Sequence, residues 1–140
     1  MLPDNYKITT DVPKIDTYRM LREQSGLSPK SEEAARLGLK GTLFSVQIFY
    51  EDDPVGMGRL IGDGGCHFQI VDMAVLPAHQ GKGLGKEIMK ELSDYIDQHL
   101  PDTAYISLIA DGPADKLYAK FGFEYTAPAS VGMYRRVIKK

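Results

Sequence analysis

The stretch VLPAHQGKGLGKEIM, residues 75–89, places three alternating glycines, Gly81, Gly83 and Gly85, directly before a segment with helical periodicity. Leu84, Ile88, Leu92, Tyr95 and Ile96 recur at helical spacing, while Lys86, Glu87, Lys90, Glu91, Asp94 and Asp97 take the other face. That spacing predicts an amphipathic helix over 83–100, followed by Pro101. A helix N-terminus leaves four backbone N–H groups without intrahelical partners and carries partial positive charge. Glycines in front of it put no Cβ in the way and take positive φ at little cost. Such a turn suits a phosphate or pyrophosphate. The plainer alternative is a tight strand-to-helix turn with no ligand, and Gln80 and Lys82 among the glycines weigh against it. Two nucleotide-binding patterns fail on spacing. A P-loop needs Gly-x-x-x-x-Gly-Lys-[Ser/Thr], but Glu87 follows Gly85 and Lys86. The dinucleotide fingerprint Gly-x-Gly-x-x-Gly needs a glycine where Lys86 stands, and the elements before it read as antiparallel rather than as the start of a βαβ unit.

Working outward, HFQIVDMAVL reads as the strand that feeds this turn. Before it, TLFSVQIFYE and PVGMGRLIG, joined by EDDP, read as an antiparallel hairpin, and GDGG is the next turn. Upstream, residues 6–10 form a short strand. A helix then opens at Pro13 and stops at Gly26, and Ser31 caps SEEAARLGL, with Glu32 and Glu33 at the positive helix end. Downstream, TAYISLIA is a strand, ADKLYAKFGF a short helix closed by Gly122, and 131–138 a last strand. The order β-α-α-β-β-β-α-β-α-β is mixed α/β with one central crossover.

A chain of 140 residues, 43% hydrophobic, supports one core, so residues 1–140 are expected to form a single domain. The net charge is −2 with both signs mixed along the chain, and no basic stripe recommends nucleic acid or an anionic membrane as partner. MLPDNYKITT has neither a basic region nor an apolar run, and no stretch of about 18 apolar residues occurs, so a soluble, cytoplasmic protein is expected. Cys66 is alone, which excludes an intrachain disulfide, and His67, His79 and His99 lack metal-ligand spacing, so no metal is expected.

The run Gln80-Gly81-Lys82-Gly83-Leu84-Gly85, following DMAVLP, resembles the acyl-CoA loop of the GNAT superfamily of N-acetyltransferases, [Gln/Arg]-x-x-Gly-x-[Gly/Ala]. ADKLYAKFGF is similar to that family's short helix ending in Tyr-x-x-x-Gly-Phe. Together the two motifs cover about half of the chain, residues 71–125. The resemblance implies a central mixed, mostly antiparallel sheet flanked by about four helices, with acetyl-CoA as co-substrate. It further implies direct transfer of acetyl to a primary amine, with no covalent intermediate on the protein. The backbone of Gln80, Gly81, Lys82, Gly83, Leu84, Gly85 and Lys86 would cradle the CoA pyrophosphate, with the Lys82 side chain adding charge. Met73, Ala74 and Val75 would offer backbone groups to the pantetheine arm, and a bulge in that strand would aim a free amide at the thioester oxygen. Asp111 stands where the family often has asparagine.

Ala114, Leu117, Tyr118 and Phe121 form a helical stripe, so the residues alone read Tyr118 as core. The resemblance instead makes Tyr118 the acid that protonates the departing thiolate. Asp72 is an acid in an otherwise apolar strand, which strict alternation puts on one face with Phe68, Ile70 and Ala74. It is either a group that takes the amine's proton or anchors its ammonium, or a bulge residue bonded to local backbone. Cys66 and His67 point to opposite strand faces and do not suit a nucleophile pair. Candidate acceptor contacts are Ser28 in LSPKS, Arg59 on the hairpin and Ser130 in ASVGMY, which suit a small polar or carboxylate-bearing amine such as an amino acid. Each could equally be a turn cap or a surface salt-bridge partner. Alternatives to a small-molecule acceptor are a protein amine, or a CoA-binding regulatory module without catalysis. Pairing into a homodimer is left open.

Overall fold

In the computed structural model, which describes residues 2–139, the chain divides into two compact units, 1–108 and 109–140. The first holds strands β1 (Tyr6–Thr9), β2 (Phe44–Tyr50), β3 (Asp53–Gly62), β4 (His67–Val75) and β5 (Tyr105–Ser107), with helices α1 (Ile15–Gln24), α2 (Glu32–Leu39) and α3 (Leu84–His99). The second holds α4 (Asp115–Ala119). Among the described residues the fold is mixed α/β, with a five-stranded, mostly antiparallel sheet and four helices, as expected. Among the described residues no helix is long and apolar enough to cross a membrane.

The strands lie in the order β1-β2-β3-β4-β5, antiparallel except for β4 and β5, which run parallel because α3 carries the chain back across the sheet. β3 is buried without interruption from Val55 to Leu60, as a strand covered on both faces must be. On one face Tyr18, Leu21, Ala35 and Leu39 of α1 and α2 pack with Met57 and Ala74. On the other lies α3, with Leu84, Ile88, Met89 and Leu92 buried. Gly58 is the point of closest approach there: a Cβ would fall 2.6 Å from Met73 Sδ and 2.7 Å from Ile88 Cγ2. Ser31 caps α2 as expected, its Oγ accepting the Ala34 N–H at 3.0 Å.

Opposite Gly58 the sheet is irregular. Arg59 pairs with Val71 and Met57 with Ala74, so Asp72 and Met73 together face the single residue Gly58. Asp72 takes φ of 60°, in the left-handed region, and β4 is bulged there. The bulge overturns the strict alternation expected for Asp72. Phe68 and Ile70, with Leu60 opposite Ile70, share the α3 face, whereas Ala74, paired with Met57, has crossed to the α1 and α2 side. The Asp72 side chain points to that second side, toward α1.

The strand expected over TAYISLIA shortens to Tyr105–Ser107, which pairs only with 67–69 of β4. Among the described residues, the rest of β4, residues 70–75, has no strand partner on that edge. Bulges bend the strand that carries them, which accounts for the parting of the two.

In the second unit, a 3₁₀ turn at Gly112–Ala114 leads into α4. Gly122, at φ of 88°, ends the helix, and the Phe123 N–H returns to the Tyr118 carbonyl at 3.3 Å. The last strand expected over 131–138 is absent. Val131, Met133, Val137 and Ile138 are 69–89% exposed. Alternation marks a face, but a strand also needs a neighbouring edge for its backbone groups, and this segment makes no such pairing.

Candidate active site

The glycine turn follows β4 through a 3₁₀ turn at Pro77–His79. Gly81 and Gly83 take φ of 78° and 81°, and a Cβ built on either would meet nothing within 4 Å. The glycines are therefore needed for backbone conformation, while the space over them stays open. Gly83 is the N-cap of α3 and supplies no capping side chain. Gln80 does not point outward. Its Nε2 donates to the Val75 carbonyl at 2.9 Å and ties the turn to the end of β4. Behind it, the Tyr6 hydroxyl hydrogen-bonds His79 Nδ1 at 2.6 Å, and the Tyr50 ring lies 4.9 Å from that of Tyr6. Burial pushes the Tyr6 phenol up, with Tyr50 adding to it, so the hydroxyl keeps its proton.

Met73, Ala74 and Val75 lie on the stretch of β4 that has no strand neighbour on its outer edge among the described residues and ends at the glycine turn, where Gln80 already takes the Val75 carbonyl. An extended chain laid along this edge would find strand hydrogen-bonding groups for its amides, and an anion at its far end would meet the glycine turn. The residues thus fit a pantetheine arm with a pyrophosphate behind it.

At the bulge, three residues expected in the site come together: Asp72, Arg59 and Ser28. Asp72 Oδ1 accepts from the Tyr18 hydroxyl at 2.9 Å and from Arg22 Nη1 at 2.5 Å, and Oδ2 accepts from Arg59 Nε at 2.8 Å. Arg22 also donates from Nε to the Ser28 carbonyl at 2.9 Å and from Nη2 to Ser28 Oγ at 3.1 Å. Arg59 Nη1 donates to Thr42 Oγ1 at 2.6 Å and to the Gly38 carbonyl at 3.3 Å, and its guanidinium lies 5.3 Å from the centre of the Tyr18 ring. The Asp72 side chain is 5% exposed, and removing one partner from so buried a pair typically costs roughly 3–5 kcal/mol. Burial, then the Asp72 charge, pushes the Tyr18 phenol up, so it stays a donor. Tyr18, Arg22 and Thr42 were not among the residues expected from the sequence. Arg22 left one trace: it stands one residue after Leu21 and four after Tyr18, on the apolar side of α1.

Tyr118 and Ser130 belong to the second unit. Tyr118 is buried on α4, edge-on to Phe123 at 6.5 Å between ring centres. Burial, and secondarily the Asp111 charge, raises its pKa, so the phenol stays protonated further into alkaline pH than usual. Ser130 closes a turn, its N–H donating to the Thr126 carbonyl at 3.0 Å. The Tyr125 hydroxyl donates to Asp115.

Residues 14–123 match the family model described as the acetyltransferase (GNAT) family. A protein of unknown function from meticillin-resistant Staphylococcus aureus, named a probable acetyltransferase, has a crystal structure similar to this one at a TM-score of 0.90 and 50% identity. The match covers 94% of this chain and 99% of that one. The uncharacterized N-acetyltransferase ycf52 of Porphyra purpurea is 26% identical over 95% of this chain and 78% of its own length. The histone acetyltransferase TAP1 of Glycine max is 34% identical over 57% of this chain, which is 34% of that protein.

Proposed function

Because this chain belongs to the GNAT acetyltransferase family, acyltransferases that use acetyl-CoA, we propose that it binds acetyl-CoA along β4 and moves the acetyl group to the primary amine of a small molecule. The observation that carries this reading is the run of β4 from 70 to 75, which has no strand neighbour on its outer edge among the described residues and ends at an open, glycine-lined helix start. The backbone from Gln80 to Lys86 holds the pyrophosphate, with Lys82 adding charge, and Met73, Ala74 and Val75 hold the pantetheine arm. A free amide at the bulge faces the thioester oxygen as negative charge grows on it, a contribution worth roughly 2.7–4 kcal/mol for one such donor in other enzymes.

The acceptor must arrive as a neutral amine. Its nitrogen attacks the thioester carbon, the C–N bond forms and the C–S bond breaks, and the nitrogen's surplus proton passes to water. The thiolate takes its proton from the Tyr118 hydroxyl, which solvent then reprotonates. The raised pKa keeps the Tyr118 hydroxyl protonated, the form from which it can donate. Asp72, with both oxygens engaged by Tyr18, Arg22 and Arg59, is assigned to holding the bulge rather than to taking a proton. Arg59 and Ser28, brought into one cluster through Asp72 and Arg22, are assigned to an acceptor carrying a carboxylate.

Similarity to a histone acetyltransferase favours a second reading, a protein amine as acceptor. One experiment addresses both. Acetyl-CoA should raise the melting temperature with concentration, as any ligand selective for the folded state does. CoA release is then assayed against amino acids, simple amines and a lysine-rich peptide. Release with the peptide alone would replace the small-molecule reading, and binding without release to any acceptor would leave a CoA-binding module. No thermal shift would reject the assignment of the turn. Tyr118→Phe keeps the ring and its packing. It should retain CoA affinity while kcat falls at least about tenfold, since general acids typically contribute roughly 10²–10⁴-fold. Undiminished kcat would return Tyr118 to the core.

A further inference from the structure

The backbone alone does not hold the β4 bulge. On the β3 side the ladder is interrupted, because Asp72 and Met73 share one opposing residue, Gly58. On the other side β5 has already parted from β4 after Gln69. Asp72 itself sits at φ of 60°, where a non-glycine residue is disfavoured. A bulge with so little ladder support can relax in several ways unless something outside the strand fixes it.

What reaches it is a set of side chains from two other elements. The Asp72 carboxylate is gripped from α1 by Tyr18 and Arg22, one helical turn apart, and from β3 by Arg59, whose register partner Val71 is the residue just before the bulge. Each arginine is anchored a second time, Arg22 on the carbonyl and hydroxyl of Ser28, Arg59 on Thr42 and on the last turn of α2. Both guanidiniums are nearly buried, with side chains 10% and 7% exposed. Each carboxylate oxygen thus has a donor whose own position is fixed elsewhere. A carboxylate held this way cannot swing, and the backbone of Asp72 and Met73 is fixed with it.

We propose that Arg22, Asp72 and Arg59 form a side-chain brace that keeps the β4 bulge in the conformation that grips the pantetheine arm, making Arg22 and Arg59 positioning residues that act through Asp72. The proposal rests on the acetyl-CoA reading above and specifies which side chains make β4 competent for it. The brace touches the sheet at the bulge and not at the glycine turn, so it governs one part of the CoA molecule and leaves the nucleotide end alone. Through Arg22 it also ties the segment at Ser28 to the bulge, so the α1–α2 connection and β4 shift together or not at all.

The test compares two probes by calorimetry, CoA and 3′-phosphoadenosine 5′-diphosphate, which is CoA without its pantetheine arm. The wild-type protein should bind CoA at least fivefold tighter than the truncated probe. In Asp72→Asn and Arg22→Met, affinity for the truncated probe should stay within about twofold of wild type, while the advantage of CoA shrinks to less than twofold. Arg22→Lys, which keeps the charge but loses the fork, should recover part of that advantage. Melting temperatures are recorded for each variant. Should Asp72→Asn fail to fold, Arg22→Lys against wild type still decides the matter. A folded variant that keeps the full CoA advantage, or loses affinity for both probes in parallel, would overturn the brace. A wild-type protein that binds both probes equally would overturn it too, leaving the pyrophosphate turn intact. One that binds neither would overturn the acetyl-CoA reading and the brace with it.

Discussion

Two glycine-rich turns bound β4, GDGG at 62–65 before it and GKGLG at 81–85 after it, and they treat their backbone amides in opposite ways. In the first, Asp63 Oδ1 accepts the N–H groups of Gly65 and Cys66 at 2.8 Å and of His67 at 3.1 Å. The chain supplies its own anion, and these bonds hold the Asp63 carboxyl down at about 2. In the second, the corresponding side chain is Lys82 and the N-cap Gly83 offers no acceptor. Glycine content does not separate a structural turn from a binding turn. What separates them is whether a carboxylate already occupies the concavity.

Giving the second turn what the first has is the change with the largest expected effect. Gly83→Asp places a carboxylate at the N-cap of α3, where it competes with the pyrophosphate for the same amides. With charge-assisted hydrogen bonds worth roughly 1.5–3 kcal/mol each, the displacement of one or two should weaken CoA binding about 100-fold. The melting temperature should fall modestly, because a side chain at φ of 81° is strained even for aspartate. An unaltered CoA dissociation constant by calorimetry would mean that the turn is no anion site.

A matched pair sharpens the comparison further. Gly64 and Gly81 have φ of 89° and 78°, and a Cβ on either meets nothing within 4 Å. Gly64→Ala and Gly81→Ala should therefore cost similar stability, about 1–2 kcal/mol each, from the left-handed conformation alone. Only Gly81→Ala should also weaken CoA binding, by about tenfold as the strained turn relaxes away from the ligand. Equal CoA affinities in the two variants would erase the distinction drawn between the turns.

Support from behind the second turn should matter less. Tyr6→Phe removes the hydroxyl that bonds His79 Nδ1 and leaves the ring packed near Tyr50. A single hydrogen bond is worth about 1 kcal/mol, so CoA affinity should fall no more than about fivefold. A loss as large as that of Gly83→Asp would show that the turn depends on β1 for its shape.

How much of this was legible in the sequence follows the same division between local and distant causes. The second turn could be read from spacing, because glycine, helix start and basic residues are neighbours in the chain. GDGG could be read as a turn, although not that Asp63 fills it. Asp72 stood out as an acid in an apolar strand, but its meaning lies in Tyr18 and Arg22, more than 50 positions away, or 50 in the nearer case. No period in β4 announces them, and the bulge that turns Asp72 toward them breaks the alternation used to place it. The strand expected over 131–138 erred in the opposite sense. Its apolar residues are there, but a pattern names no partner, and the segment stays unpaired and exposed.

The smallest effect belongs to the charge in the first turn, and its sign follows from the depressed pKa. The ordinary carboxyl value of 3.8 applies to the unfolded chain, and the folded value is about 2, lowered chiefly by the N–H of Gly65, then of His67 and Cys66. A group whose folded pKa is depressed contributes its stability in full above the unfolded value and loses it as pH falls toward the folded one. Asp63→Asn keeps an oxygen for the same amides and removes only the charge. Its melting temperature should therefore lie slightly below wild type at neutral pH, with the gap closing between pH 3.8 and about 2 and absent below that. Asp63 is exposed, so water screens the effect and the shift should be small. CoA affinity at neutral pH should match wild type within about twofold, in contrast to every change proposed for the second turn. A gap that persists unchanged to low pH would mean that Asp63 serves by shape alone, and that the two turns differ in occupancy but not in charge.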